Sequence, residues 1–193
     1  MGKTLLKKIA KIGSGQSFRH KIEHNPNGAC RVIQMKDISN ERLDIVGKPL
    51  CVNRKDVNPN QLLNKGDILF MAKGNNNFAV LFNSDMPAVA VSLFFIIRPN
   101  QSLVNPEFLT WFLNSSSAQS YFYEQRLGAS VGNIRKDALE NLAINLPSID
   151  KQVQIAKLNR LMQKEKLITT EYLEKKELFL NQIMLNLSLE LRK

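Results

Sequence analysis

From Ser148 to Lys193 the chain contains neither proline nor glycine, and Pro147 stands immediately before that stretch. A run this long without a helix breaker, opened by Ser148 or Asp150 as a cap, predicts one long helix over residues 149–193. At about 1.5 Å per residue it would extend roughly 60 Å. Val153, Ile155, Leu158, Leu161, Met162, Ile168, Tyr172, Phe179, Ile183 and Leu187 recur close to the helical repeat, with polar interruptions at Glu165 and at Lys175 and Lys176. A lone helix with one apolar stripe needs something to cover it. The rest of the chain offers no segment of similar length, so the expected partner is a second chain. The expected dimer interface is Ile155, Leu158, Met162, Ile168, Tyr172, Phe179 and Ile183. The alternative is a helix that bends back on its own domain.

With 193 residues, the chain divides into a globular domain, 1–148, and the helix, 149–193. The longest apolar run, "PAVAVSLFFII", is too short to cross a bilayer, which takes about 20 residues. The basic N-terminus has no apolar core with a small-residue cleavage site, and Leu6 stands where a myristoylation signal needs Ser or Thr. The expected location is the cytoplasm, with no membrane partner. Cys30 and Cys51 belong to no CxxC or Cys/His cluster and read as two thiols in a reducing compartment.

Charge says more. The net charge is +10 and the pI about 9.7. Residues 1–50 carry ten Lys and Arg against four Asp and Glu, whereas 101–150 is slightly acidic. A cationic field on the face built by the N-terminal part suits phosphate backbones, although an anionic membrane or an acidic partner has the same sign.

The globular part reads as mixed α/β. "TLLKKIAKIGSGQ" is a short helix or strand entry, and "NPNG" is a turn. "ACRVIQMKDI" alternates as a strand does. Ile68–Ala72 and Phe78–Phe82 predict a hairpin with Lys73–Asn77 at its tip. "AVAVSLFFIIRP" predicts one buried strand. Asn105 as cap, Pro106 at the first position and Glu107 near the positive end predict a helix start. A second helical piece ends at Gly128, and "IRKDALENLAINLP" is a short helix leading into a strand.

Three stretches imitate catalytic motifs and fall short. His20–His24 matches H-x-x-E-H, but it is squeezed between two loops and the chain has no third histidine. Asn105-Pro106-Glu107-Phe108 approaches the N-P-P-[FY] pattern of amino-methyltransferases, but Glu107 replaces the second proline and no Gly-rich cofactor loop accompanies it. Asp67 and Lys73 lack the further acidic residue a nuclease metal site needs, because Met71 stands there. These residues indicate a binding protein without metal or cofactor. Three polar loops carry the chemistry of DNA contact: Ser14, Gln16, Ser17 and Arg19; Lys73 with Asn75, Asn76 and Asn77; and Gly128–Lys136 with Ser130, Asn133, Arg135 and Lys136. Lysine and arginine position the phosphate backbone, while Gln and Asn amides pair with base edges. Each loop taken alone is also an ordinary solvated turn.

In this order, "KIGSGQSF", "VIQMKDIS" (which holds Lys36, a further DNA-contact candidate), "LLNKGDILFMAKGN", "FFIIRPNQSLVNPEFLTWFLNSSSAQSYF" and "GASVGNIRKDALENLAINLPSIDKQVQIAKLNRLM" cover nearly the whole chain. Together they resemble the target recognition domain and following helix of the DNA specificity subunit of type I restriction–modification enzymes. The last stretch, a Gly-rich loop, a short helix, "INLPS" and a Gln-containing helix, is the most specific. The resemblance implies a non-catalytic subunit that selects double-stranded DNA sites for an adenine methyltransferase subunit, and for a restriction subunit where one is present. Such subunits usually carry two recognition domains joined by paired long helices that set the distance between half-sites. One domain and one helix look like a half-sized form, whose helix would pair antiparallel with a second copy to read a bipartite palindrome. A truncated or decoy specificity fragment, or a stand-alone nucleic-acid-binding regulator, is the alternative.

Overall fold

The computed structural model describes residues 3–39, 44–73, 77–127 and 133–190. In chain order they form β1 (Lys3–Leu5), α1 (Leu6–Ile9), β2 (Ala10–Ser14), β3 (Cys30–Ile33), β4 (Ile38–Ser39), β5 (Asp44–Ile45) and β6 (Leu50–Val52). There follow β7 (Ile68–Met71), β8 (Ala79–Leu81), β9 (Ala88–Ala90), β10 (Phe94–Pro99), α2 (Pro106–Leu113), α3 (Ser116–Leu127), α4 (Lys136–Glu140), β11 (Ala143–Asn145) and α5 (Ile149–Glu190). This is the expected mixed α/β domain followed by a long C-terminal helix. Among the described residues no helix is long and apolar enough to cross a membrane.

The two apolar runs of the predicted hairpin are β7 and β8, paired antiparallel with Ile68 opposite Leu81. β10 lies between β7 and β2, antiparallel to both, giving a four-stranded sheet in the order β2-β10-β7-β8. Its side chains alternate between two buried faces. Ile68, Phe70 and Ile97 pack under the helices, where the Phe70 and Phe122 ring centroids are 4.8 Å apart. Leu69, Met71, Phe94 and Ile96 pack on the other side, against Ile33, Ala88 and Ala90 of the smaller sheet β6-β3-β9. Burial on both faces explains why these strands read as continuous apolar runs.

The run "AVAVSLFFIIRP" is not one strand. It is β9 and β10, in different sheets, with a turn closed by the Phe94 N–H donating to the Val91 carbonyl (3.0 Å). A lone exposed serine, Ser92, is the one polar residue in the bend, too weak a signal to split an otherwise continuous apolar run. "ACRVIQMKDI" is a strand only to Ile33. Asp37 then turns the chain, its carboxylate accepting from the Gln34 N–H at 2.8 Å in a capping box. The first stretch resolves into β1, one helical turn and β2; β1 pairs with β11.

Polar side chains lock the joints. Asn105 caps α2 as expected, its Oδ1 accepting from the Phe108 N–H at 2.9 Å. Asn114 covers the edge of β8 as a further strand would: Nδ2 donates to the Ala79 carbonyl (2.8 Å) and the Ala79 N–H donates to Oδ1 (2.9 Å). Asp67, only 1% exposed, accepts from Arg98 Nε at 2.8 Å and Nη2 at 2.7 Å and from the Asn64 N–H at 2.8 Å. That hydrogen-bonded partnership lifts the Arg98 pKa above its usual value. Gly66 turns the chain just before Asp67 at a φ of 94°, which an L side chain rarely adopts.

The chain forms two compact units, residues 1–156 and 157–193. The first turns of α5 therefore belong to the first unit, where Ala156 is buried among the helix-side core residues. In the second unit nearly every described side chain of α5 is exposed.

Candidate nucleic-acid interface

β2 ends, β7 ends and β10 begins on the same side of the large sheet. Ser14 is in register with Phe95, and Met71 with Phe94. The loops beyond these strands are tied together by backbone hydrogen bonds. The Gln16 N–H donates to the Ala90 carbonyl (2.7 Å), and the Ala72 N–H to Leu93 (3.3 Å). The Ile134 N–H donates to Ala72 (2.8 Å), which brings in the loop before α4, and the Val91 N–H donates to Ile33 (3.1 Å), which brings in the chain leading to Lys36. Segments far apart in sequence thus meet at one end of the fold. Gly15 makes the crossing possible, since a Cβ there would lie 2.3 Å from the Val91 carbonyl oxygen.

Of the residues expected to meet DNA, Ser14, Arg19, Lys36, Lys73, Arg135 and Lys136 are exposed, and Asn133 is half-buried. Arg135 faces Asp137 at 3.5 Å and Lys136 faces Glu140 at 3.4 Å. Such solvated pairs contribute little, so both cations can exchange a carboxylate for a phosphate at low cost. Tyr121 ties α3 to α4, its hydroxyl donating to the Ala138 carbonyl at 2.8 Å. Burial, with Asp137 nearby, raises the Tyr121 pKa and keeps the phenol a donor. Asn75, Asn76 and Ser130 lie outside the described residues.

Two expected base readers are otherwise engaged. Gln16 is 7% exposed: its Nε2 donates to the Asp56 carbonyl (2.9 Å) and the Asn58 N–H donates to its Oε1 (2.9 Å). It latches the 56–58 segment to the β2 exit instead of facing solvent. Gln61 reinforces that latch through the Ser14 and Gly15 carbonyls, at 3.3 and 3.2 Å. Asn77 is 6% exposed and donates to the Met71 carbonyl at 2.8 Å, closing the base of the hairpin. An amide in a polar loop looks alike in sequence whether it faces a base or its own backbone, so no sequence signal separates the two. The His20–His24 segment is not helical, and His24 Nδ1 accepts from the Cys51 N–H at 3.1 Å.

Among the expected interface residues of α5, Ile155 is half-buried and packs against the core of the first unit. Leu158, Met162, Ile168, Tyr172, Phe179 and Ile183 are exposed. The last turns add Leu178, Leu180, Met184, Leu185, Leu187 and Leu189, all exposed. Sequence reasoning missed Gln61, Asn114 and Gln152 as joints of the domain.

The family model for the type I restriction modification DNA specificity domain matches residues 3–180. The type I restriction enzyme HindI specificity subunit of Haemophilus influenzae is 32% identical over 149 residues, which are 75% of this chain and 28% of that subunit. Solved structures share the fold. A chain of a type I R-M system solved for its complex assembly and conformational transition is similar at a TM-score of 0.66 and 19% identity, over 86% of this chain and 43% of that one. The HsdS subunit from Thermoanaerobacter tengcongensis is similar at 0.64 and 18%, over 86% and 43%. This chain therefore spans less than half the length of the relatives it matches. With a family match over nearly all the described residues and the fold of two solved relatives, the chain belongs to the family of type I restriction modification DNA specificity domains, which recognise DNA and are not themselves catalytic.

Proposed function

We propose that this chain selects a bipartite DNA site for an adenine methyltransferase subunit, and for a restriction subunit where one is present, and that it acts as a homodimer. In this reading residues 1–148 are the recognition domain, and the helix from 149 onward joins two copies antiparallel as a spacer between half-sites. Lys36, Lys73, Arg135 and Lys136 hold phosphates. Ser14, Asn75, Asn76, Ser130 and Asn133 meet base edges. The site of action is the cytoplasm.

One observation carries the proposal: several polar and cationic loops of a +10 chain are gathered at one end of a sheet in a DNA specificity fold. The dimer is supported by the apolar stripe of α5, exposed from Leu158 to Ile183, which a second amphipathic helix would cover. The test is to isolate the tagged chain from its native source and weigh the recovered complex by light scattering. Two copies of this chain with an adenine methyltransferase support the proposal. A DNA-bound species without a methyltransferase refutes it.

A further inference from the structure

The smaller sheet β6-β3-β9 has two covered faces. Ile33, Ala88 and Ala90 pack toward the large sheet, while Cys30, Val32, Val52 and Val89 form a separate cluster. Two loop stretches cover that second cluster: residues 16–28, through Phe18 and Ile22, and residues 53–62, through Val57 and Leu62. Hydrogen bonds tie the two stretches into one layer. At the β2 exit the Gln16 side chain holds the Asp56 carbonyl and the Asn58 N–H, and Gln61 holds the Ser14 and Gly15 carbonyls. Farther along, the Asn25 N–H donates to the Cys51 carbonyl at 2.8 Å, and Asn25 Nδ2 donates to Asn53 Oδ1 at 2.8 Å. Gly28 runs so close to β6 that a Cβ there would lie 2.6 Å from the Val52 carbonyl oxygen. The layer is therefore continuous with the end of the large sheet where the polar loops gather.

Its apolar side chains turn inward and its cations turn out. Arg19 and Lys21 alternate with Phe18 and Ile22, and Arg54 and Lys55 stand between Val52 and Val57; all four cations are exposed. None of them forms an ion pair with a described residue. Two exposed carboxylates, Glu23 and Asp56, accompany them, so positive charge is in excess. The amides of the layer are occupied in holding it together. Besides Gln16, Gln61 and Asn25, Asn58 Oδ1 accepts from the Asn60 N–H at 3.0 Å. What faces outward is thus charge for phosphates more than amides for base edges. We propose that this layer is a second, sequence-independent DNA-contact surface, which holds phosphates beside the half-site and not within it. It rests on the DNA-selecting reading above but not on the dimer. Three strands at about 4.8 Å apart make its footing about 10 Å across, the length of about three phosphates of one DNA strand. Continuity with the β2 exit favours the duplex over an acidic protein as the partner.

The experiment uses the full chain in the complex it forms. A site is first selected from a randomised duplex library, and phosphate ethylation interference is then mapped on a duplex carrying that site. Wild type is expected to show interference within the half-site and at a further run of phosphates outside it. Lys21→Ala combined with Lys55→Ala removes two exposed cations and leaves Arg54, which also reaches the Cys30 thiol. This variant is expected to lose the outer run, keep the inner one and its base preference, and lower the salt slope by about 1.8, two contacts at about 0.9 each. An unchanged interference pattern and slope overturn the inference. Loss of the inner run or of base preference also overturns it, because the layer would then serve the half-site or the fold. Unchanged DNA contacts with a lost methyltransferase subunit overturn it in favour of a protein-docking surface. A wild-type complex that selects no site removes the DNA-selecting reading, and this inference with it.

Discussion

Ile168 lies within two residues of the middle of α5, which runs from Ile149 to Glu190. In a symmetric pair of copies every interface residue occurs twice, so one substitution removes contacts on both copies. Ile168 is 55% exposed in the single chain. Full burial of an isoleucine is worth about 1.5–3 kcal/mol, so covering the half that remains is worth about 1 kcal/mol per copy. Ile168→Ala is then expected to weaken the dimer by about 2 kcal/mol, or about 30-fold in Kd. Alanine is the strongest helix former, so the loss cannot be put down to melting of the helix. Gln163→Ala, five residues earlier and on the far side of the helix, is the matched control and should leave Kd unchanged. A dilution series followed by sedimentation equilibrium reads both constants. A Kd for Ile168→Ala within twofold of wild type, or a wild-type chain that stays monomeric at micromolar concentration, would falsify the argument that this stripe pairs two copies.

Three further outcomes follow from the same geometry. Lys73→Ala should weaken binding to all DNA sequences alike and lower the salt slope, d log K against d log salt, by about 0.9; a loss confined to one base pair would mean that Lys73 reads a base instead. Asp67→Ala should cost about 3 kcal/mol in urea unfolding, at the low end for a broken buried pair because the Arg98 side chain stays 41% exposed; a change below about 1 kcal/mol would show that Arg98 is satisfied by the Leu62 carbonyl and water. Burial raises the Cys30 thiol above its usual pKa, though nearby Arg54 opposes the rise. Cys30 therefore stays a thiol at neutral pH, and Cys51, half-buried, should be alkylated first, as peptide mass mapping would show. The Cys30 contribution to stability is present at neutral pH and is lost as pH rises past the unfolded thiol value toward the higher folded one.

What could be read in the sequence was what local chemistry dictates. The long helix follows from a stretch without proline or glycine, and the α2 start from Asn105, Pro106 and Glu107. The hairpin follows from two apolar runs around a polar tip. What could not be read depends on distant partners. That β9 and β10 belong to different sheets is set by partners far apart in the chain, Ile33 beside Ala90 and Met71 beside Phe94. Gln16 and Asn77 look like presented amides until the 56–58 segment and the Met71 carbonyl are placed beside them. Ile155 fits the stripe of α5 by spacing, and its partial packing against the core of its own unit is not visible there. Gln152 was visible as part of a motif, while its bonds to the Leu103 carbonyl and the Asn105 N–H were not, because that stretch lies far back in the chain. The same distance effect worked in favour of the site: loops at residues 14, 73 and 133 share an end of one sheet that no spacing in the sequence announces.

The most direct test of the account is to map N6-methyladenine across the genome of cells that carry the methyltransferase partner, with and without this chain. The account predicts methylation at one two-part site with inverted identical halves and a fixed spacer, lost when the chain is removed. Methylation that persists unchanged without the chain, or that falls at a site whose halves differ, would contradict it.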